Sequence, residues 1–113
     1  MAPIGAQLAE DLAPEDFRRV LAVFRDDVAR LCQVLLVAAR AGDPTTFRRA
    51  AHSLAGAAGA VGAEALEQAC RVAMTRHDIL PAQFPATASA IERLGLAALR
   101  ELAALLEGIE HAA

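Results

Sequence analysis

The sequence predicts an all-α fold, an antiparallel up-and-down four-helix bundle preceded by a short extra N-terminal helix. Apolar residues recur at helical spacing along the chain of 113 residues, and 29 positions are alanine, the strongest helix former. β-Branched residues form no alternating runs, so no strand is expected. Glycine and proline interrupt the helical pattern at few places, which favours long helices with short connections. At this length we expect a single domain over residues 1–113.

The first two predicted helices cover residues 4–12 and 14–41. Pro14 suits the first turn of the second helix, and the two acids that follow it favour the positive end of the helix dipole. Gly42 is expected to end this helix. Its apolar face consists of Phe17, Leu21, Phe24, Val28, Leu31 and Leu35.

Three more helices are predicted over residues 44–61, 63–77 and 86–109. Asp43 is expected to be the N-cap of the first of them. Residues 78–85 contain two prolines and form a loop, whose apolar side chains we expect to pack against the bundle. The residues expected to face the core are Phe47, Ala51, Leu54, Ala58, Val61, Leu66, Cys70, Ala73, Ile91, Leu94, Ala98, Leu102, Leu105 and Ile109.

The composition excludes several classes of function. The net charge is −3 and no basic stripe with interleaved aromatic residues is present, so no nucleic-acid partner is expected. All eleven basic residues are arginine, which excludes chemistry that needs a lysine. Cys32 and Cys70 lie in apolar helical stripes and are expected to be buried free thiols, and no metal or cofactor site is expected. Without a secretory leader or a long apolar run, we expect a soluble cytoplasmic protein with no membrane partner.

His52 is the strongest candidate functional residue. At about 100° per residue it lies roughly 140° from Phe47 and roughly 160° from Leu54, so it points away from the core. Arg48 and Arg49 lie one helical turn before it.

Small residues follow His52 on the same helix, with Ala55 and Gly56 one turn after it and Gly59 beyond. A glycine inside a helix costs about 1 kcal/mol relative to alanine. Stability does not explain these glycines, whereas a bare surface that lets another protein approach the imidazole does. Gly59 has a second explanation, which is close helix packing, and Gly62 is expected to be a helix C-cap.

These residues resemble the histidine-containing phosphotransfer (HPt) domains of two-component phosphorelays. The pattern of that family is a long helix, Ala-Gly-Asp, an arginine-rich turn into Ala-His-x-Leu-Lys-Gly, and then Gly-Ala, Leu and Cys. The matching residues are Ala41-Gly42-Asp43, then Arg48 to Gly56 around His52, and then Gly62-Ala63, Leu66 and Cys70. The motifs cover about half of the chain, and the order of the helices covers all of it.

The resemblance implies that His52 is the phosphoacceptor and that Gly56 admits a receiver domain. Two positions depart from the family pattern. Ala55 stands where the family has a lysine that helps to hold the phosphoryl group, and Met74 stands where some relatives have a polar residue that steadies the histidine. Arg48 and Arg49 are candidates to replace the lysine, because arginine pairs bidentately with phosphate oxygens. A solvated basic patch is an equally good explanation of these two arginines.

Three hypotheses follow for the function. In the first, a monomeric phosphoryl carrier, rather than an autonomous enzyme, moves a phosphoryl group between receiver domains of a response regulator or hybrid histidine kinase through His52. In the second, a degenerate HPt-like module binds a receiver or kinase and sequesters it without relay. The third, a purely structural scaffold, gives no reason for the glycines near His52.

Overall fold

The computed structural model describes residues 3–112, and these residues are helical apart from short connections. The helices are α1 (Ala6–Asp11), α2 (Pro14–Ala41), α3 (Pro44–Val61), α4 (Glu64–Thr75) and α5 (Phe84–Ala112), and a 3-10 turn covers Pro81–Gln83. The described residues contain no strand, so the predicted all-helical class is confirmed. The predicted bounds of α2 and α3 agree with the structure.

The short first helix begins later and ends earlier than the predicted range 4–12. Gly5 precedes it with a φ of 73°, a left-handed conformation that glycine adopts without strain. The N–H of Gly5 donates to the carbonyl of Val61 at 3.0 Å, which ties this turn to the end of α3. The chain therefore makes a turn where helical spacing alone predicted the first residues of a helix.

The bounds of the last two helices also differ from the predicted ranges 63–77 and 86–109. The fourth helix ends at Thr75, and Arg76 leaves it with extended backbone angles and forms an ion pair with Asp78. The fifth helix begins at Phe84, because Pro85 fits a first helical turn in which no backbone N–H is needed. It continues beyond 109 to Ala112.

The predicted loop packs only in part. Phe84 is buried and its ring stacks on Phe47, with the centroids 4.3 Å apart and the planes 7° from parallel. Ile79 is partly buried, but Leu80 is 62% exposed, so the prediction that the loop buries its apolar residues is wrong for Leu80. The stack joins the start of α3 to the start of α5.

The core is one cluster of buried side chains from α2, α3, α4 and α5. Every residue predicted to face inward from α2, α3 and α4 is buried. In α5 the prediction is right for Ile91, Ala98 and Leu102, whereas Leu106 rather than Leu105 is buried at the end of the helix. Leu94, Leu105 and Ile109 pack against the core while remaining partly exposed.

The pairing of the helices follows from contacts between them. Arg18 near the start of α2 forms an ion pair with Glu110 near the end of α5, and Gly95 faces Val28 between these ends. Helices α2 and α5 are therefore antiparallel. Two residues connect α2 to α3 and two connect α3 to α4, so the chain reverses at each place. An up-and-down bundle requires α2 to be antiparallel to α5 and the chain to reverse after α2 and after α3, as observed. The complete up-and-down order stays a prediction.

Candidate functional site

The candidate site lies on α3, whose two ends are well defined. The backbone N–H of Thr46 donates to Asp43 Oδ1 at 3.2 Å, which satisfies one of the free donors at the start of the helix. Hydrogen bonding from the side chain and backbone of Thr46 lowers the pKa of the Asp43 carboxyl below its ordinary value. At the other end Gly62 has a φ of 72° and closes the helix in the left-handed conformation.

His52 is exposed on the outer face of α3. Phe47 and Leu54, on the opposite face of the same helix, are each 0% exposed. The orientation predicted from helical spacing is therefore the one observed. The imidazole is accessible to another molecule, while its backbone belongs to a helix that is fixed by the core.

The two glycines near His52 have different surroundings. A Cβ at Gly56 would have no atom within 4 Å, so the surface beside His52 is open there. A Cβ at Gly59 would lie 3.1 Å from Glu67 Oε2 on α4. Gly59 therefore accommodates a side chain of the neighbouring helix, which supports the packing explanation, while Gly59 itself is exposed and its place in a binding surface stays a prediction.

The two arginines before His52 also differ. Arg49 is exposed, and its charge contributes to lowering the pKa of Asp43, so part of its influence acts toward the start of α3. Arg48 is half-buried, and its Nε is buried without a hydrogen-bond partner. Within residues 3–112 neither guanidinium forms an ion pair with a carboxylate. Both remain available to an anion that a partner brings.

Ala55 is not on the exposed surface beside His52, because it is only 3% exposed and faces the interior of the bundle. The expectation that Ala55 contributes to a binding surface is corrected accordingly. Met74, the second departure from the family pattern, is partly buried and packs against the core.

The sequence was compared with models of known protein families, and one of them matches. The family model described as Hpt domain matches residues 19–112, which is nearly the whole chain. The chain belongs to the Hpt domain family. No curated protein and no solved structure matches it. As an Hpt domain it is a histidine phosphotransfer module of two-component systems, and the partners of such modules are receiver domains and histidine kinases.

The Hpt domain has an apolar groove between α2 and α3, on the side of α3 where Gly56 leaves the surface open. This α2–α3 groove is lined by Arg19, Val20, Val23, Phe24, Asp27, Ala57, Ala60 and Val61. Val23 is 61% exposed, the second most exposed of the large apolar side chains after Leu80. Ala60 lies one helical turn beyond Gly56, so open surface continues from His52 into the groove.

A residue pair that sequence analysis did not single out lies on α4. Arg71 donates from Nε and Nη2 to Glu67 Oε2, at 3.1 and 2.7 Å. This is the same carboxylate that occupies the space above Gly59. The spacing of a glutamate four residues before an arginine predicts such a pair, but its contact with α3 depends on how the two helices pack.

The two cysteines of the Hpt domain are free and buried, as predicted. Burial raises the pKa of the Cys32 thiol to about 11, and the nearby charge of Glu92 adds to this effect. Burial raises the pKa of the Cys70 thiol to about 12, with a smaller contribution from Cys32. Neither thiol forms an appreciable fraction of thiolate near neutral pH, so both act as packing residues.

Metal-holding clusters and membrane-spanning helices are both absent from residues 3–112 of the Hpt domain. No cluster of three or more histidine, cysteine, aspartate or glutamate side chains is arranged to hold a metal ion. Over the same residues, no helix combines the length and apolar character needed to cross a membrane.

Proposed function

We propose that this Hpt domain carries a phosphoryl group on His52 between aspartyl receiver domains of a phosphorelay. The observation that supports the proposal most strongly is the exposure of His52 beside the open surface at Gly56, on a helix whose opposite face is fully buried. A neutral imidazole has one ring nitrogen with a free lone pair, which is the nucleophile that phosphoryl transfer needs.

The proposed step is a direct displacement at phosphorus. An imidazole nitrogen of His52 attacks the phosphorus of an aspartyl phosphate, an N–P bond forms, and the P–O bond to the aspartate breaks with the electron pair leaving on the carboxylate. The same step in reverse transfers the group to a second receiver. Such transfer depends mainly on position and on compensation of charge, so this domain must supply an exposed histidine on a rigid helix and cations close to it.

The proposed binding residues divide between the phosphoryl group and the partner. Arg48 and Arg49 are expected to compensate the charge of the incoming phosphoryl group, because neither has a carboxylate partner within residues 3–112. Gly56 and the α2–α3 groove are expected to contact the apolar surface of a receiver domain. The carrier is proposed to act as a monomer, which light scattering of the purified protein tests.

A second candidate function is a binding module that sequesters a receiver without relay. The observation that favours it is the burial of Ala55, since α3 offers no cation at the position where the family has a lysine. This module would bind phosphorylated receivers and gain no phosphohistidine.

The experiment that separates the two functions is incubation with a panel of phosphorylated receiver domains from the same genome. Relay predicts an acid-labile, base-stable label on the wild type and none on His52→Gln. Because an exposed substitution changes the free energy of unfolding by about 0.5 kcal/mol or less, the variant is expected to melt as the wild type does. Label that survives on His52→Gln contradicts the assignment of the phosphoacceptor. Receiver binding without any label identifies the sequestering module.

A further inference from the structure

The contact between α3 and α4 beside His52 has no cation at position 55 of α3. Ala55 is buried in this contact, and the sequence contains no lysine at any position. A phosphoryl group on His52 carries negative charge at the exposed end of the imidazole. Arg48 points to this side of α3 as well, because it lies seven residues from Ala55, but it is half-buried, so any further cation on this side comes from α4.

Arg71 is the cation of α4 whose partner, Glu67, lies against α3. Its guanidinium binds Glu67 Oε2, and that oxygen lies 3.1 Å from the position that a Cβ at Gly59 would occupy. Gly59 is seven residues from His52, and at 100° per residue their directions on α3 differ by only about 20°. The ion pair is thus packed over the same stripe of α3 that presents His52.

The register of the two helices brings Arg71 toward His52. Since α3 and α4 reverse direction around Gly62 and Ala63, successive residues of α4 lie opposite earlier residues of α3. The four residues from Glu67 to Arg71 advance about 6 Å along α4, which brings the backbone of Arg71 level with Ala55. His52 is three residues, or about 4.5 Å, further along α3.

Arg71 is also accessible to an incoming anion, because its side chain is 55% exposed and its partner Glu67 is on the same helix. An exposed pair of this kind contributes little to stability, so exchanging the carboxylate for another anion costs little. Arg76, the next arginine along the chain, follows the end of α4, and both of its interactions are with the neighbouring Asp78.

We infer that Arg71 binds the phosphoryl group at His52 during transfer and that Glu67 holds its guanidinium in reserve between transfers. This inference rests on the proposed function, in which His52 is the phosphoacceptor. Arg71 supplies from α4 the positive charge that Ala55 does not supply from α3. When the Arg71 guanidinium is paired with Glu67, the Glu67 carboxylate lies close to the position that a Cβ at residue 59 would occupy. The inference therefore explains why residue 59 is a glycine.

The test uses phosphoramidate as the phosphoryl donor, so that no partner protein contributes charge. His52 attacks the phosphorus, the N–P bond to the protein forms, the N–P bond of the donor breaks, and the leaving amine takes a proton and departs as ammonia. Phosphohistidine is measured against time by ³¹P NMR. Arg71→Gln is expected to slow its formation about fivefold, on the scale of one partly exposed charge-assisted hydrogen bond. Arg71→Lys is expected to restore part of the rate.

Glu67→Gln is the matched variant, because it breaks the same ion pair from the other side. It frees the guanidinium and is expected to raise the rate, whereas a purely structural role of the pair predicts the same direction of change for both variants. Arg18→Gln removes an ion-paired arginine near the opposite end of the bundle and is expected to leave the rate unchanged. Thermal melting of each variant shows that the comparison is made on folded protein.

The outcomes separate this inference from the function on which it rests. If the wild type gains no phosphohistidine from phosphoramidate or from phosphorylated receivers, the proposed function is wrong and the role of Arg71 is wrong with it. If the wild type is phosphorylated and Arg71→Gln reacts at the same rate, only the role of Arg71 is overturned. A slower rate in both Arg71→Gln and Glu67→Gln also overturns it and assigns the pair to structure.

Discussion

The two sides of His52 are built differently. Toward α2 the surface is open, since a Cβ at Gly56 would have no atom within 4 Å and the α2–α3 groove lies next to it, at Ala57 and Ala60. Toward α4 the surface is filled, since Ala55 is buried and Glu67 occupies the space above Gly59. The side toward α2 therefore has room for a partner protein, and the side toward α4 carries the positive charge of Arg71, which belongs to the domain itself.

This difference shows that two glycines three residues apart on one helix serve opposite purposes. Gly56 keeps a surface empty, whereas Gly59 lets a neighbouring side chain lie close to the helix backbone. Both are equally unfavourable by helix propensity, so the distinction comes only from what packs against each of them.

The largest expected effect is that of Gly56→Leu on transfer from a receiver domain. A leucine at this position fills the open side of His52 and is expected to slow receiver-dependent phosphorylation at least about tenfold, equivalent to about 1.4 kcal/mol of lost partner binding or positioning. Labelling by phosphoramidate is expected to remain near the wild-type rate, because the small donor needs no docking surface. Both rates are measured by acid-labile label.

Gly108→Leu is the matched control for this substitution. Gly108 is also a helical glycine with nothing within 4 Å of an added Cβ, and it lies near the end of α5 rather than on α3. If Gly56→Leu accepts phosphoryl groups from receivers as fast as Gly108→Leu does, the open side is not the docking side.

Ala55→Lys tests the filled side. The lysine stem must enter a position that is 3% exposed, so the free energy of unfolding is expected to fall by about 1 to 3 kcal/mol in urea titrations. In the Arg71→Gln background the same substitution is expected to restore phosphorylation of His52 by phosphoramidate, since it returns a cation to the contact between α3 and α4. A stable double variant that stays slow shows that charge on this side does not assist the reaction.

Alanine substitutions sharpen the comparison of the two glycines. Gly56→Ala is expected to raise the free energy of unfolding by up to about 1 kcal/mol, because helix propensity improves and nothing is displaced. Gly59→Ala is expected to gain less, because its methyl group crowds Glu67 Oε2. In a Glu67→Ala background Gly59→Ala should recover the full gain, and equal gains at both glycines without that change contradict the packing role of Gly59.

The smallest expected effect concerns Asp43, which caps the helix that both sides share. The pKa of this carboxyl is lowered in the folded protein from an ordinary value of 3.8, so its stabilising effect is complete above that value and is lost as the pH falls through the lowered pKa. Asp43→Asn keeps a side-chain acceptor without the titration. Melting temperatures of the two proteins are expected to differ less in strong acid than at pH 7, and a constant difference excludes a contribution from this carboxyl.

Sequence patterns predicted the helices of the core and the direction of His52, because both follow from helical spacing within one element. The apolar stripes of α2 and α3 contain every buried residue that was expected of them. The 3-10 turn before Phe84 and the exposure of Leu80 were not predictable in this way, since residues 78–83 lie outside the regular helices and have no helical period to read. Nothing within one helix reveals contacts between helices.

The surroundings of the candidate site were predictable only in part for the same reason. His52, Arg48, Arg49 and the glycines all lie on α3, and their spacing places them on one stretch of surface. Which glycine has a side chain of α4 close to it depends on the register of α4, and the burial of Ala55 depends on how closely that helix packs. Arg71 was missed because it enters the neighbourhood of His52 from another element.

The exposure of Val23 in the α2–α3 groove has a practical consequence for spectroscopy. The chain contains no tryptophan and no tyrosine, so its intrinsic ultraviolet fluorescence is very weak. Val23→Trp places a single indole at a 61% exposed position beside the proposed docking surface. The emission of this tryptophan would shift toward the blue when a receiver covers the groove. Its fluorescence would therefore report receiver binding in real time, independently of phosphoryl transfer.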